Sequence, residues 1–251
     1  MSFVLPSLAG GGAERAAVQI LNALDGDAWD RELYLFSREG PYLDEVGPGV
    51  AVSSGTRASR LGRWLDLRRH LRATRPDVVV AFLSYLTVLT ATRAAGVGAR
   101  VVFNQQTPFS AFLDDADYVW RRPGARALFL AAARWGYRAA DMVVATSRGV
   151  ADDLVGRLGV AAPRVRVIAN PVDLDAVRAA AAAPIDAAHD AAWRAPRLVA
   201  AGRLADAKNY PLLIDALARV RERVPATLAI LGQGEQERAL RALVSARGLD
   251  E

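Results

Sequence analysis

Lys208 is the only lysine in this 251-residue chain; every other one of its 32 basic residues is arginine. It lies in Gly202-Arg203-Leu204-Ala205-Asp206-Ala207-Lys208-Asn209, directly after the apolar run Leu198-Val199-Ala200-Ala201. Arginine is a planar fork, whereas lysine is a flexible point charge suited to a phosphate oxygen. The pattern predicts a helix over 210–223, with Pro211 near its first turn. Arg203 and Lys208 beside that helix start would cradle a diphosphate and neutralise the charge that grows as a phosphate leaves. Two solvated loop cations are the plainer alternative.

Two further glycine-bearing loops have the same strand-to-helix context. Gly10-Gly11-Gly12-Ala13-Glu14-Arg15 follows the first predicted strand. Its glycines allow a sharp turn, and the helix it opens offers free N–H groups to an anion. It fails as a dinucleotide fingerprint, because Arg15 stands at the third glycine and no acidic residue closes the second strand. It is no Walker loop either, lacking Gly-Lys-Ser/Thr. Gly232-Gln233-Gly234-Glu235, after the run Thr227-Leu228-Ala229-Ile230-Leu231, would admit a nucleotide base or phosphate close to the backbone, or is an ordinary turn.

The chain around these loops alternates short β-rich runs with helical patterns, which predicts parallel sheets with crossover helices. Strands are expected at 3–8, 32–36, 50–53, 78–82, 100–103, 142–145 and 165–168. Helices are expected at 13–24, 60–74, 85–95, 125–139 and 147–158, the last N-capped by Ser147. Runs such as Val78-Val79-Val80-Ala81-Phe82 are apolar on both faces, as central parallel strands require. Residues 1–170 thus form one doubly wound domain, and 171–196 a linker opening on Asn170-Pro171-Val172-Asp173. Residues 197–251 begin a second domain: strand 198–201, helix 210–223, strand 227–231 and helix 235–247. Two strands and two helices cannot bury both faces of a parallel sheet, so this domain is expected to be incomplete.

Net charge is +5 with 24% charged residues, which favours anionic partners without choosing among them. Cysteine is absent, excluding disulfides and thiolate metal sites, and His70 and His189 are too few for a histidine-rich one. His70 is read as a surface helix residue. No apolar run approaches the roughly 20 residues that span a bilayer, and the first residues lack a signal-peptide pattern; the expected location is cytoplasmic. Arg57, Arg60, Arg63, Arg68, Arg69, Arg72 and Arg75 crowd one segment. A second, 118–138, mixes Tyr118, Trp120, Phe129, Trp135 and Tyr137 with Arg121, Arg122, Arg126, Arg134 and Arg138. Such helices rest on anionic membrane surfaces or are solvated faces with aromatic residues turned inward; the sequence leaves both open. No helix-turn-helix, zinc or aromatic-strand signature points to nucleic acid.

Taken together, Gly11-Gly12-Ala13-Glu14-Arg15, Asn170-Pro171-Val172-Asp173, Gly202-Arg203-Leu204…Lys208-Asn209-Tyr210-Pro211 and Leu231-Gly232-Gln233-Gly234-Glu235 resemble glycosyltransferase family 4 over nearly the whole chain. The resemblance implies a GT-B fold: two Rossmann-like domains facing across a cleft, acceptor mainly on the first and nucleotide-sugar donor mainly on the second. It implies that Arg203 and Lys208 contact the donor diphosphate, with Gly202, Asn209, Gly232 and Gly234 in the donor site. Gly11, Gly12 and Glu14 belong to the acceptor side. It also implies retention of anomeric configuration, no bound metal or other cofactor, and a glycan or lipid-linked acceptor, for many members at the inner face of the cell membrane.

The family places two glutamates, seven residues apart, later in the donor domain than this sequence extends. Many members carry a histidine in a first-domain loop; the comparable loop here, Asn104-Gln105-Gln106-Thr107-Pro108, has none, and Gln105 or Gln106 would be the replacement hydrogen-bond donor. Rival readings are a non-catalytic sugar-nucleotide or anion-binding protein and a Rossmann oxidoreductase, the latter disfavoured by the broken fingerprint.

Overall fold

The computed structural model describes residues 1–114, 124–184 and 196–250. The chain divides into two compact units, Met1–Leu174 and Asp175–Glu251. The first holds seven parallel strands: β1 (Ser2–Leu5), β2 (Arg31–Leu35), β3 (Val50–Ser54), β4 (Val78–Phe82), β5 (Arg100–Gln105), β6 (Met142–Ala145) and β7 (Val165–Val167). Their order across the sheet is β3-β2-β1-β4-β5-β6-β7. The order reverses between β1 and β4, the point at which a doubly wound sheet opens a crevice beyond its strand ends.

Both sheet faces are covered, and the strand period of two sorts the side chains between them. Val4 faces one core with Tyr34, Val79, Ala81, Val101 and Phe103, against helices α2 (Arg60–Thr74), α3 (Tyr85–Ala95), α5 (Ala125–Ala139) and α6 (Arg148–Leu158). Phe3 and Leu5 face the other, with Leu33, Leu35, Val80 and Phe82, against α1 (Gly12–Ala23). The expected N-cap is present: Ser147 Oγ accepts the Val150 N–H at 3.3 Å. Ser59 caps α2 in the same way.

The first strand ends at Leu5, ahead of the expected residue 8, because Pro6 has no N–H to continue the ladder. β5 runs two residues further than expected, pairing Asn104 with Val144 and Gln105 with Ala145. Their polarity hid them from a search for apolar runs. Two helices were not foreseen: α4 (Phe109–Asp114), and α7 (Leu174–Ala182), which occupies the segment read as linker. His70 is not the surface residue expected. It is half-buried, its ring 4.7 Å from that of Tyr34 and its Nε2 2.6 Å from Glu32, a contact without hydrogen-bond geometry.

The second unit has β8 (Arg197–Ala201) and β9 (Thr227–Leu231), paired in parallel, with α8 (Tyr210–Arg221) and α9 (Glu237–Ala246). Leu204, Tyr210, Ile214 and Leu240 form its small core. His189 and the expected linker residues 185–195 lie outside the described residues, as do Tyr118, Trp120, Arg121 and Arg122.

Arginine has a recurrent structural use here. Arg31 donates to Leu24 O at the end of α1, Arg68 and Arg72 to Ala94 O and Ala95 O at the end of α3, and Arg138 to Leu158 O at the end of α6. Each supplies a cation to a helix C-terminus whose carbonyls have no partner within the helix.

Asp66 on α2 fixes the loop after β3. It accepts the Thr56 and Arg57 backbone N–H groups at 3.0 Å each and pairs with the Arg57 guanidinium. Burial pushes its carboxyl up, but those hydrogen bonds and the arginine charge outweigh it and hold the group below its ordinary value of 3.8. A depressed folded value means the contribution is present above the ordinary range and lost as pH falls through the folded value. Asp66→Asn therefore lowers the urea midpoint at pH 7, and the gap to wild type closes as the buffer is acidified below 3.8. A gap equally wide at pH 7 and in strong acid would show that the carboxylate charge contributes nothing.

Candidate functional site

Every candidate residue of the first unit sits at the C-terminal edge of the parallel strands. The loop after β1 carries Gly10, Gly11 and Gly12. Gly10 has φ +106, and Gly11 is the N-cap of α1 with no side-chain cap. Glu14 folds its carboxylate back over Gly11, while the space around Gly12 is open. A glycine the sequence reading passed over holds this loop in place. Gly40 has φ +116, and any Cβ there would collide with the Leu8 carbonyl; the two loops are joined by Leu8 N–H donating to Glu39 O at 2.9 Å.

Beside it, between the ends of β1, β4 and β5, lies a cleft of about 490 Å³. Pro6, Ser84, Thr87, Gln105 and Gln106 contribute polar or backbone groups, and Tyr85, Phe109, Phe129 and Tyr137 the aromatic wall. Phe109 stacks on Phe129 with ring centroids 5.8 Å apart. Leu83 and Ser84, at the end of β4, both have left-handed backbone (φ 64 and 44). For non-glycine residues this costs on the order of 1–3 kcal/mol each and persists only where the surroundings impose it.

Gln105 is the last residue of β5 and not a loop residue, a correction that follows from its ladder pairing. Its side chain is buried and directed on both sides: Tyr137 Oη donates to its Oε1, and its Nε2 donates to Thr107 O at 2.6 Å. Tyr85 Oη donates to Asn104 O at 2.6 Å. Burial pushes both tyrosine hydroxyls well above their ordinary range, so they remain donors. Gln106 exchanges amide hydrogen bonds with Asn170, its Oε1 accepting at 2.7 Å and its Nε2 donating at 3.2 Å, and its Nε2 also reaches Asn104. Gln106 therefore holds the edge together, and Asn170, read from sequence as a linker turn, completes it. From sequence alone Tyr85, Tyr137 and Asn170 have no part in a site, because only the folded chain brings them to residues 104–107.

In the second unit the loops after β8 and β9 are fastened to each other. Gly202 N–H donates to Leu231 O at 2.9 Å, Leu204 N–H to Gln233 O at 2.9 Å, and Gln236 N–H to Leu204 O at 3.0 Å. Such close approach requires glycine: a Cβ on Gly232 would strike the Gly202 carbonyl, and one on Gly234 the Leu204 carbonyl. Gln236 also donates to Asp206.

Asp206–Lys208 form a single 3-10 turn, and Asn209 takes left-handed backbone (φ 49) to launch α8, with Tyr210 buried beneath. Lys208 folds back over the loop start, so that a Cβ on Gly202 would lie 3.4 Å from its Cε and 3.0 Å from Tyr210 Oη. Arg203 follows Gly202 directly. Both cations are exposed, and neither makes a side-chain hydrogen bond or ion pair among the described residues. Many other arginines are engaged by carbonyls or carboxylates; these two stand beside the start of α8 with their charge unmatched. Among the described residues no His, Asp and Glu cluster is placed to hold a metal ion, and no helix is long and apolar enough to cross a membrane.

A doubly wound parallel unit followed by the opening strands and helices of a second, each with its loops gathered at the strand C-termini, is the α/β architecture of the GT-B type. A model of the family described as Glycosyltransferase Family 4 matches residues 10–176. This chain belongs to glycosyltransferase family 4. It is 30% identical over 115 residues to an N-acetylgalactosamine-N,N'-diacetylbacillosaminyl-diphospho-undecaprenol 4-alpha-N-acetylgalactosaminyltransferase of Campylobacter jejuni, a match covering 46% of this chain and 29% of that protein. Among solved structures it resembles Anabaena HepE in complex with UDP, with TM-score 0.70 and 19% identity over 99% of this chain and 66% of that one. It also resembles the lipopolysaccharide outer core galactosyltransferase WaaB, with TM-score 0.60 and 17% identity over 100% of this chain and 66% of that one. The chain thus spans just under two thirds of these structures and less than a third of the Campylobacter protein.

Gly12→Ala should leave stability unchanged or raise it by up to about 1 kcal/mol, since a methyl there meets nothing. Gly232→Ala should cost roughly 1–3 kcal/mol, because a carbonyl must move. Amide hydrogen exchange reads both. The Leu204 and Gln236 amides lose protection only in the second variant, and equal protection in the two would contradict the interlocked-loop account.

Proposed function

We propose that the chain carries the acceptor-side unit and the beginning of the donor unit of a glycosyltransferase. Its donor is a nucleoside-diphosphate sugar, and its acceptor a hydroxyl of a lipid-linked or cell-surface glycan. The observation that carries this reading is the pair Arg203 and Lys208, exposed and without partners beside the N-terminus of α8, over loops whose glycines keep Cβ atoms away. Cations at a helix N-terminus, where the dipole also favours negative charge, make a site for a diphosphate. HepE was solved with UDP and also with UDP and glucose, and the Campylobacter relative is named for transfer to a diphospho-undecaprenol-linked sugar.

In the reaction the bond between the anomeric carbon and the diphosphate oxygen breaks, its electron pair leaving with the diphosphate. Lys208 and Arg203 stabilise the charge that accumulates there. The acceptor oxygen bonds to the same carbon from the face the diphosphate leaves, and its proton passes to the departing phosphate oxygen. Configuration is thereby retained. With side chains and a helix N-terminus meeting the phosphate charge, this reading assigns no metal and no other cofactor.

On the acceptor side, the open backbone at Gly12, the Glu14 carboxylate over Gly11 and the Gln105 amide line or adjoin the approach, and Gln106 is tied to Asn104 and Asn170 at the same edge. Aromatic walls beside a few directed polar groups suit a sugar ring, which presents apolar faces and hydroxyl edges.

Lys208→Ala should lower sugar-transfer turnover on the order of 10²-fold and weaken UDP binding. Its melting temperature should stay unchanged, since Lys208 has no partner in the fold among the described residues. Titration calorimetry with UDP and an assay of nucleotide release from UDP-sugars check this. Near-normal affinity and turnover in that variant would end the proposal.

A further inference from the structure

Ion pairs between described residues take their cation from arginine, with one exception: His70 and Glu32. The two side chains are only 16% and 14% exposed, and His70 Nε2 stands 2.6 Å from Glu32 Oε1. They come from different layers of the first unit. Glu32 is the second residue of β2, opposite Ser2 on β1 and Ala51 on β3, and His70 belongs to α2.

Few groups around the pair can carry or share a charge. β1 contributes the Ser2 hydroxyl, and β3 the Ser53 hydroxyl, which donates to Glu32 Oε1 at 3.5 Å. β2 contributes Glu32 itself and Tyr34, whose ring lies 4.7 Å from the imidazole. On α2, Asp66 lies one turn back and is engaged by Arg57 and two backbone N–H groups. Arg63 lies two turns back and keeps its charge at any ordinary pH. The Met1 ammonium donates to Asp30 O at 2.9 Å, two residues from Glu32.

Burial, with the charges of Asp66 and Glu32, pushes the Tyr34 hydroxyl up to about 12, so it stays protonated. Burial pushes the Glu32 carboxyl up as well, but His70 and the two serine hydroxyls outweigh it and hold the group below its ordinary 4.5. Glu32 is therefore ionised at neutral pH. An imidazole, by contrast, changes charge between about pH 5 and 8. A half-buried carboxylate is costly without a counter-charge. Protonated His70 supplies one; neutral His70 offers at most an uncharged donor.

Helix α2 is fastened to this side of the sheet at two points one turn apart. Asp66 holds the loop after β3 through groups that do not titrate near neutrality. His70 meets β2 through a group that does. β3 is the outermost strand and pairs with β2 alone. We propose that His70 and Glu32 form a pH-sensitive latch between α2 and the β2–β3 edge, closed when His70 is protonated and slack when it is neutral. A cation that gains an anion on folding adds stability below its titration range and loses it as pH rises through that range. The sign is opposite to that of the Asp66 carboxylate, whose contribution is lost on acidification.

Amide hydrogen exchange of the full chain at about pH 6 and about pH 8 tests this, read as protection factors so that the intrinsic rate cancels. Protection around Leu67 and Leu71 on α2 and along the β2–β3 ladder should fall by about fivefold between the two. Leu240, in the second unit, should keep its protection. Glu32→Gln and His70→Gln should each abolish the difference, and His189→Gln, at the only other histidine, should retain it.

No difference in the wild type overturns the proposal. So does a difference that persists in His70→Gln, which would assign it to the Met1 ammonium or His189. One that persists in Glu32→Gln does the same, by giving His70 another anion. Should His70→Gln fail to fold, wild type and Glu32→Gln decide: a response present only in the first supports the latch, and one shared by both ends it.

Discussion

Parallel strands can be joined only by crossovers, and that constraint gives the two edges of each sheet opposite chemistry. Each strand that feeds a helix does so at its C-terminal edge, so that edge collects helix N-termini with unpaired N–H groups. The other edge collects helix C-termini with unpaired carbonyls. All the candidate site residues of this chain fall on the first kind of edge: the glycine loop after β1, the left-handed turn after β4, Gln105 and Gln106 after β5, and Lys208 after β8. Glycine, or strained backbone, stands wherever two such loops must touch.

The opposite edge accounts for much of the arginine. Arg31, Arg68, Arg72, Arg93, Arg134, Arg138 and Arg164 all donate to backbone carbonyls, most of them in the last turn of a helix or just past it. A guanidinium suits that task because its donors are fixed in a plane and can serve neighbouring carbonyls. A net charge of +5 therefore says less about nucleic acid than it suggests, since many of the cations have a structural partner. Among the cations without a partner in the described residues, it is position that carries meaning. Arg203 and Lys208 stand over the loops after β8 and β9, and Arg60 and Arg69 on the outer helix face.

Strand-and-helix alternation was legible because two-faced apolar runs such as residues 78–82 have no other stable use in a soluble domain. Helix starts at Ser59 and Ser147 follow from local capping chemistry. The loops around Gly202, Gly232 and Gly234 were legible as turns, but not their interlocking, which depends on pairing between strands about thirty residues apart. Asn104 and Gln105 extend a strand with amides, and apolar pattern cannot find a polar strand end. Gly40 was invisible for a similar reason: its constraint is set by the carbonyl of Leu8, a residue from a different loop. Local propensity is written along the chain. Contact between distant segments is not.

The strain after β4 ties these observations together. Leu83 and Ser84 hold left-handed backbone where extended or right-handed helical geometry would be cheaper, at the point where the sheet order reverses. Burial of Val79, Ala81 and Phe82 on β4 and of Val88 and Leu89 on α3 clamps both sides of that turn, so the strain has no route to relax. The sharp turn sets Tyr85 against Phe103 and Tyr137 and opens the cleft over Gln105. It also fixes where Leu86 and Thr87 emerge on the outer helix surface, in the groove between α2 and α5. A relaxed turn would shift the cleft wall and the groove floor together, because both are made by the same residues of α3. The shape of the cleft and that of the outer groove are thus not independent properties of this fold: one strained turn sets the geometry of both.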